Sequence, residues 1–207
     1  SERILRSNEM SVEKIIQITG RGIPLPGDDI DTDRITPARF LKAITFDGIE
    51  KALFCDEREN TPDHPIDNLE YRGGKIMFVG KNFGSGSSRE HAPQALKRFG
   101  IDALVGVSFA EIFAGNCFAI GVPVVTVDPQ SLQTLISQTQ KNPKILYELN
   151  IDKKELFYGE SSISIEIQEN QRSAFLNGSW NMLQNLIGNL SKAREIAREL
   201  PYCNDFK

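Results

Sequence analysis

The sequence predicts an α/β fold, and three observations predict it. Short apolar strands alternate with helix-patterned stretches through the middle of the chain, from KIMFVG (75–80) to residue 141. A glycine-rich turn joins one of those strands directly to a helix. Near the C-terminal third, LFYGESSISIEI places Gly159 between two strand-like runs, which adds an antiparallel hairpin.

Taken in order, VEKIIQIT (12–19) reads as a strand and GRGIPLPGDD as the loop leaving it. ITPARFLKAI reads as a turn followed by a short helical piece. Residues 46–71, with CDERENTPDHP at their centre, are charged and irregular and read as an insertion or lid-like excursion. KIMFVG is a strand, and QALKRFG a helix that stops at Gly100. Residues 103–107 form the next strand, 108–114 a short helix and 122–127 (VPVVTV) a third buried strand. Residues 131–141 carry leucines and an isoleucine at helical spacing. Residues 183–200 read as an amphipathic helix whose stripe of Leu183, Leu186, Ile187, Leu190, Ala193, Ile196 and Ala197 suits core or subunit contact.

With 207 residues the chain suits one domain with a proper core. The expected division is a polar tail over 1–11 and a single domain over 12–207, with a C-terminal helical appendage from about 176. A net charge of −4 argues against a nucleic-acid surface, which is usually basic. No apolar run approaches the ~20 residues that span a bilayer, so no membrane role is expected. SERILRSNEM lacks the apolar core of a secretory signal. Cys55, Cys117 and Cys203 are odd in number and scattered, which fits a reducing cytoplasm. They lack the short spacing of iron–sulfur ligands, and with only His64 and His91 besides, a zinc site is not expected. Cys117, within GNCFAIGV, reads as a buried small apolar residue.

The chemistry concentrates in NFGSGSSREHA (82–92). A glycine-rich turn between strand and helix offers backbone N–H groups to an anion. Arg89 adds a two-pronged carboxylate clamp, and serine hydroxyls near a helix N-terminus are biased towards their anions. Two glycine motifs are excluded. Arg89 stands where a dinucleotide fingerprint packs its third glycine, and Ser87 follows Gly86 where a phosphate loop requires lysine. A plain capping box, Ser87-x-x-Glu90, is the bland alternative, although a cap needs neither two glycines nor an arginine. Pro93 leaves the first helical residue open. Asp28, Asp29, Asp31 and Asp33 crowd GDDIDTDRI. Counted from Asp29, an EF-hand would place Arg34 at its obligatory glycine and Phe40 at its terminal ligand, so that motif fails and a solvated acidic loop remains the simple reading.

GKNFGSGSSREHAPQAL resembles the signature of the aconitase superfamily's swivelling domain, and most closely that of the separate small subunits of bacterial 3-isopropylmalate dehydratases. DIDTDRITPARFL, SFAEIFAGNCFAIGVPVV and LNGSWNMLQNL agree, and the likeness covers roughly residues 12–200. The resemblance implies a three-layer β/β/α swivelling domain. It also implies a hydro-lyase subunit that isomerises 2-isopropylmalate to 3-isopropylmalate in leucine biosynthesis, by removing water and adding it back. Ser87 is the implied base, Ser88 assists, and Arg89 holds a substrate carboxylate. Asp33 is expected to orient Arg89 or a neighbouring hydroxyl, with Thr36, Gly86, Lys42 and His91 as further substrate-side residues. No cofactor is expected on this chain: the [4Fe–4S] cluster belongs to the implied large-subunit partner, and the substrate is a small dicarboxylate. The loop Phe40-Leu41-Lys42-Ala43-Ile44 offers apolar surface but also a lysine, so a sister substrate (homoaconitate, citraconate or a dimethylmalate) stays open. A non-catalytic, RNA-binding relative is a further alternative, opposed by the intact Ser-Ser-Arg triplet and the acidic charge.

Overall fold

The computed structural model describes residues 13–42, 45–87 and 90–181. Ser88 and Arg89, the tail over 1–11 and the expected helix over 183–200 lie outside these residues.

Seven strands form one curled sheet in the order β4-β3-β2-β1-β5-β6-β7. Strand β1 (Gln17–Leu25) is the join. Its first half, Gln17 to Arg21, pairs antiparallel with β5 (Leu146–Asn150). Its second half, Gly22 to Leu25, pairs parallel with β2 (Ile76–Val79). Strands β3 (Ala103–Gly106) and β4 (Val124–Thr126) extend the parallel half. Strands β6 (Glu155–Tyr158) and β7 (Ser161–Ser164) complete the antiparallel half as the expected hairpin.

GRGIPL is not the expected loop: residues 20–25 continue β1. Glycine and proline suggest a break, but at Gly20 and Gly22 they permit close approach. A Cβ at Gly20 would lie 2.7 Å from Lys75 Cβ, and one at Gly22 would lie 2.5 Å from the Phe78 ring. Pro24 stands beyond the last pairing with β5, so its missing N–H breaks no bond of the antiparallel ladder.

Every residue of β2 and β3 is buried, as a parallel sheet covered on both faces requires. One face (Ile23, Met77, Val79, Leu104) packs on α3 (His91–Phe99), α4 (Glu111–Ala119) and residues of the 46–71 segment. On the other face (Ile76, Phe78, Val105, Val125) lie α5 (Pro129–Lys141), α6 (Glu169–Asn177) and the curled antiparallel half. The Phe78 and Tyr147 rings meet edge-on there at 4.9 Å. Strand β5 and helix α6 are elements for which the sequence analysis names nothing. Helix α4 starts at Glu111 and runs to Ala119, so the helix read over 108–114 lies further along the chain.

Residues 46–71 do not form a detached lid. Ile49 and Tyr71 sit in the core on two 3₁₀ turns, and Leu53, Phe54 and Ile66 join them from the links around the short helix α2 (Cys55–Asn60). Their charged neighbours pair locally, Arg58 with Asp67 and Arg34 with Glu57, which leaves the apolar residues free to face inward. Among the described residues no helix is long and apolar enough to cross a membrane.

Candidate active site

The site gathers at the carboxyl ends of β1, β2 and β3, where open α/β sheets place their ligands. Three segments leave those ends and are laced together. After β1, Asp31 caps the single-turn helix α1 (Thr32–Ile35) by accepting from Arg34 N–H at 2.8 Å. After β2 comes the glycine turn. After β3, Ser108–Ala110 leads into α4.

The aspartates of GDDIDTD act as stitches. Asp28 Oδ1 accepts from Lys81 N–H at 2.7 Å, and Asp29 Oδ1 accepts from the Asn82 side-chain amide at 2.8 Å. Gly84 N–H donates to Ile30 C=O, and Thr32 N–H to Ser85 C=O, both at 2.8 Å. Thr32 Oγ1 then donates to Ser87 C=O at 3.1 Å. On the other side, Phe83 N–H donates to Ser108 C=O at 3.1 Å and Ala110 N–H to Phe83 C=O at 3.0 Å. The Ser108 hydroxyl accepts from Asn82 N–H at 2.8 Å.

The turn can follow this path because Asn82, Gly84 and Gly86 all take left-handed backbone angles, φ +54°, +79° and +96°. At Gly84 a Cβ would overlap the Phe113 ring, so only glycine fits there. Ser87 emerges exposed at the end of the laced turn. It lines a pocket of about 240 Å³ together with Thr32, Gly84, Gly86 and the start of α4, Ala110 to Phe113. Two helices begin at this place: α3 four residues after Ser87, and α4 in the pocket wall. Neither has a side-chain cap, so both leave positive helix ends near the serine.

Glu90, not Ser87, is the N-cap residue of α3, and its side chain makes no cap bond. The capping-box alternative therefore has no counterpart. Helix α3 begins at His91 and takes Pro93 in its first turn, where the missing N–H has no helical partner to lose.

The other candidate residues scatter around this frame. Asp33 is exposed in the first turn of α1, beside Thr32. Thr36 closes α1 with extended backbone, is 1% exposed and has a buried hydroxyl without a described partner. Facing the core, it does not line the pocket, and Thr32 is the threonine that does. Lys42 is exposed at the end of a 3₁₀ turn (Ala38–Lys42) and is likewise not part of the pocket wall. His91 packs edge-on to Phe46 at 5.1 Å, half-buried, with Nε2 lacking a described partner. Thr32 and the α4 start stand in no sequence motif that marks them as site residues. The usable signal was the order of strands, since loops after successive parallel strands converge.

Among the described residues no three His, Cys, Asp or Glu side chains gather to hold a metal. Cys117 is fully buried in α4, and burial pushes its thiol far up. Cys55 is partly exposed beside Arg39 and Asp56, and burial raises its thiol too. Neither is set to be a thiolate ligand.

Fold and site together define an α/β domain whose laced, glycine-rich turn presents a serine to a small pocket walled by the N-terminus of α4. Residues 12–130 match the model of the aconitase C-terminal domain. The 3-isopropylmalate dehydratase small subunit of a Thermus thermophilus strain is 44% identical over 195 residues, spanning 92% of this chain and 97% of the relative. That of Synechocystis is 41% identical over 192 residues, spanning 92% and 96%. The crystal structure of 3-isopropylmalate dehydratase from Methanocaldococcus jannaschii superposes with a TM-score of 0.62 at 27% identity, covering 85% of this chain and 99% of that one. The chain belongs to the aconitase C-terminal domain family and, within it, to the 3-isopropylmalate dehydratase small subunits.

Proposed function

We propose that this chain is the small subunit of a hydro-lyase that interconverts 2-isopropylmalate and 3-isopropylmalate in leucine biosynthesis, with Ser87 as its base. The family and the names of its relatives support the reaction. The observation that carries the residue assignment is the lacing of Thr32 and Ser85 around an exposed Ser87 in a small pocket. Removing a proton from carbon beside a carboxylate needs a base stronger than a carboxylate. A serine alkoxide is such a base, and its anion requires local positive potential. The unsatisfied N-terminal amides of α3 and α4 supply it, and Arg89 is the cation assigned to hold a substrate carboxylate. Ser88 is assigned to the same anion.

The described residues do not fit an iron–sulfur cluster, so the [4Fe–4S] centre that would ease departure of the hydroxyl is assigned to a large-subunit partner. The substrate site is then complete only at the junction of the two chains. A reducing cytoplasm suits the two unpaired described cysteines.

The test is anaerobic mixing of this chain with a cluster-loaded large subunit, followed by the absorbance of the unsaturated intermediate. Turnover of 2-isopropylmalate that disappears in Ser87→Ala supports both reaction and base. Turnover confined to homoaconitate or citraconate moves the protein to a sister reaction, and activity that survives in Ser87→Ala removes the serine from its role.

A further inference from the structure

The pocket has an apolar wall that the proton chemistry leaves unused. Ile112, the second residue of α4, is 58% exposed, although large apolar side chains are normally covered. Ile16, Leu69 and Leu146 are the other described large apolar residues so exposed, and none of them lines the Ser87 pocket. Ile112 does, together with Thr32, Gly86 and Ser87.

Its position relative to Ser87 is fixed. Ala110 N–H is bonded to Phe83 C=O, and Phe83 belongs to the same turn that carries the serine. Behind Ile112, Phe113 is buried and meets the Phe83 ring edge-on at 5.4 Å. The wall is therefore part of the turn's own scaffold. The stretch after α1 is placed differently: the Phe40 ring packs against the core under the Arg39 guanidinium, and Arg39 is paired with Asp56. Among its described residues, the exposed positions Ala38, Arg39 and Lys42 offer little apolar surface.

We infer that Ile112 is a specificity-determining residue, and that its side chain packs against the branched alkyl group of the substrate while the polar wall handles the diacid. This rests on the reading of Ser87 as the base of an isopropylmalate hydro-lyase. A pocket of about 240 Å³ suits a small diacid with one short branch. One carbon more or less in such contact changes kcat/KM by about 10-fold or more.

The experiment uses the reconstituted two-subunit enzyme with saturating large subunit, and compares 2-isopropylmalate with citraconate, which carries only a methyl branch. For Ile112→Ala, kcat/KM for 2-isopropylmalate should fall roughly tenfold, mainly through KM, with citraconate changed less than about twofold. Ile112→Leu should restore most of the preference. An equal fall for both substrates, or an unchanged ratio with only a weakened titration by large subunit, overturns the assignment and makes Ile112 a subunit contact. Native enzyme that ignores 2-isopropylmalate, or keeps its activity in Ser87→Ala, overturns the underlying reading and this inference with it. In the first failure the native enzyme is active and Ser87-dependent, so the two are told apart.

Discussion

Thr32 Oγ1 donates a hydrogen bond to the carbonyl oxygen of Ser87 across 3.1 Å, joining residues 55 positions apart in sequence. The bond fixes the backbone of the candidate base from the neighbouring strand's loop, so the serine's placement depends on a residue with no chemistry of its own.

Thr32→Val keeps the shape of that side chain and removes the donor. A lost hydrogen bond of this kind costs about 1 kcal/mol, which lowers the melting midpoint by about 2–4 °C in a chain of this size. Turnover should suffer more, by roughly tenfold or beyond, because a misplaced reacting group is costly. Thr32→Ser should recover most of both. Melts and steady-state kinetics on the same preparations check this, and a melting shift with unchanged kcat would disconnect the bond from catalysis.

Gly84→Ala tests the turn itself. The residue would sit at φ +79° with its Cβ in the Phe113 ring. Left-handed backbone costs a non-glycine residue about 1–2 kcal/mol, and overpacking adds about 1–3 kcal/mol. Denaturant titration should show the sum. Pairing it with Phe113→Ala should relieve the overlap but not the backbone cost.

His64 predicts a pH dependence of stability. It is buried, and desolvation pushes its imidazole below the ordinary value despite Glu57 at 3.8 Å. The unfolded chain therefore binds the extra proton more readily, and stability rises with pH. The contribution is fully present above about 6.5 and is lost as pH falls through the lower folded value. Unfolding free energy measured from pH 8 to 5 should show this fall. His64→Asn should flatten it, with an amide oxygen in place of the Nδ1 that accepts from Ile66 N–H at 3.2 Å.

Cys117 should resist alkylation in the native protein. Its thiol is buried and held far above its ordinary range, so the reactive thiolate is absent. Peptide mapping after iodoacetamide should find Cys117 modified only at the rate of global unfolding. Rapid labelling in native buffer would contradict the packing of α4.

The parallel strands β2 to β4, helix α5 and the β6–β7 hairpin were legible because each carries an unbroken apolar run or a clear turn. Strand β5 was not: in LYELN only Tyr147 and Leu149 among its apolar residues are buried, too few for a pattern. Helix α6 buries Phe175 alone. Residues 46–71 misled because charge dominates their composition, whereas Leu53 and Phe54, wedged between those charges, decide their packing. At the site, the glycine turn announces itself through residue types. The wall formed by Ala110 to Phe113 does not, since only tertiary structure brings apolar residues of another loop beside a serine.

The divided pairing of β1 has a consequence for how the molecule comes apart. The laced site belongs to the parallel half, and the hairpin lies at the far edge of the other, yet one nine-residue strand completes both ladders. Fraying of β7 can stay local, because it severs only an outer ladder. Release of β1 cannot, because it opens both ladders at once and frees the Asp28–Thr32 stitches. In hydrogen exchange the amides of β1, β2 and β5 should therefore report one shared opening free energy. The geometry around Ser87 then persists for as long as the whole domain does.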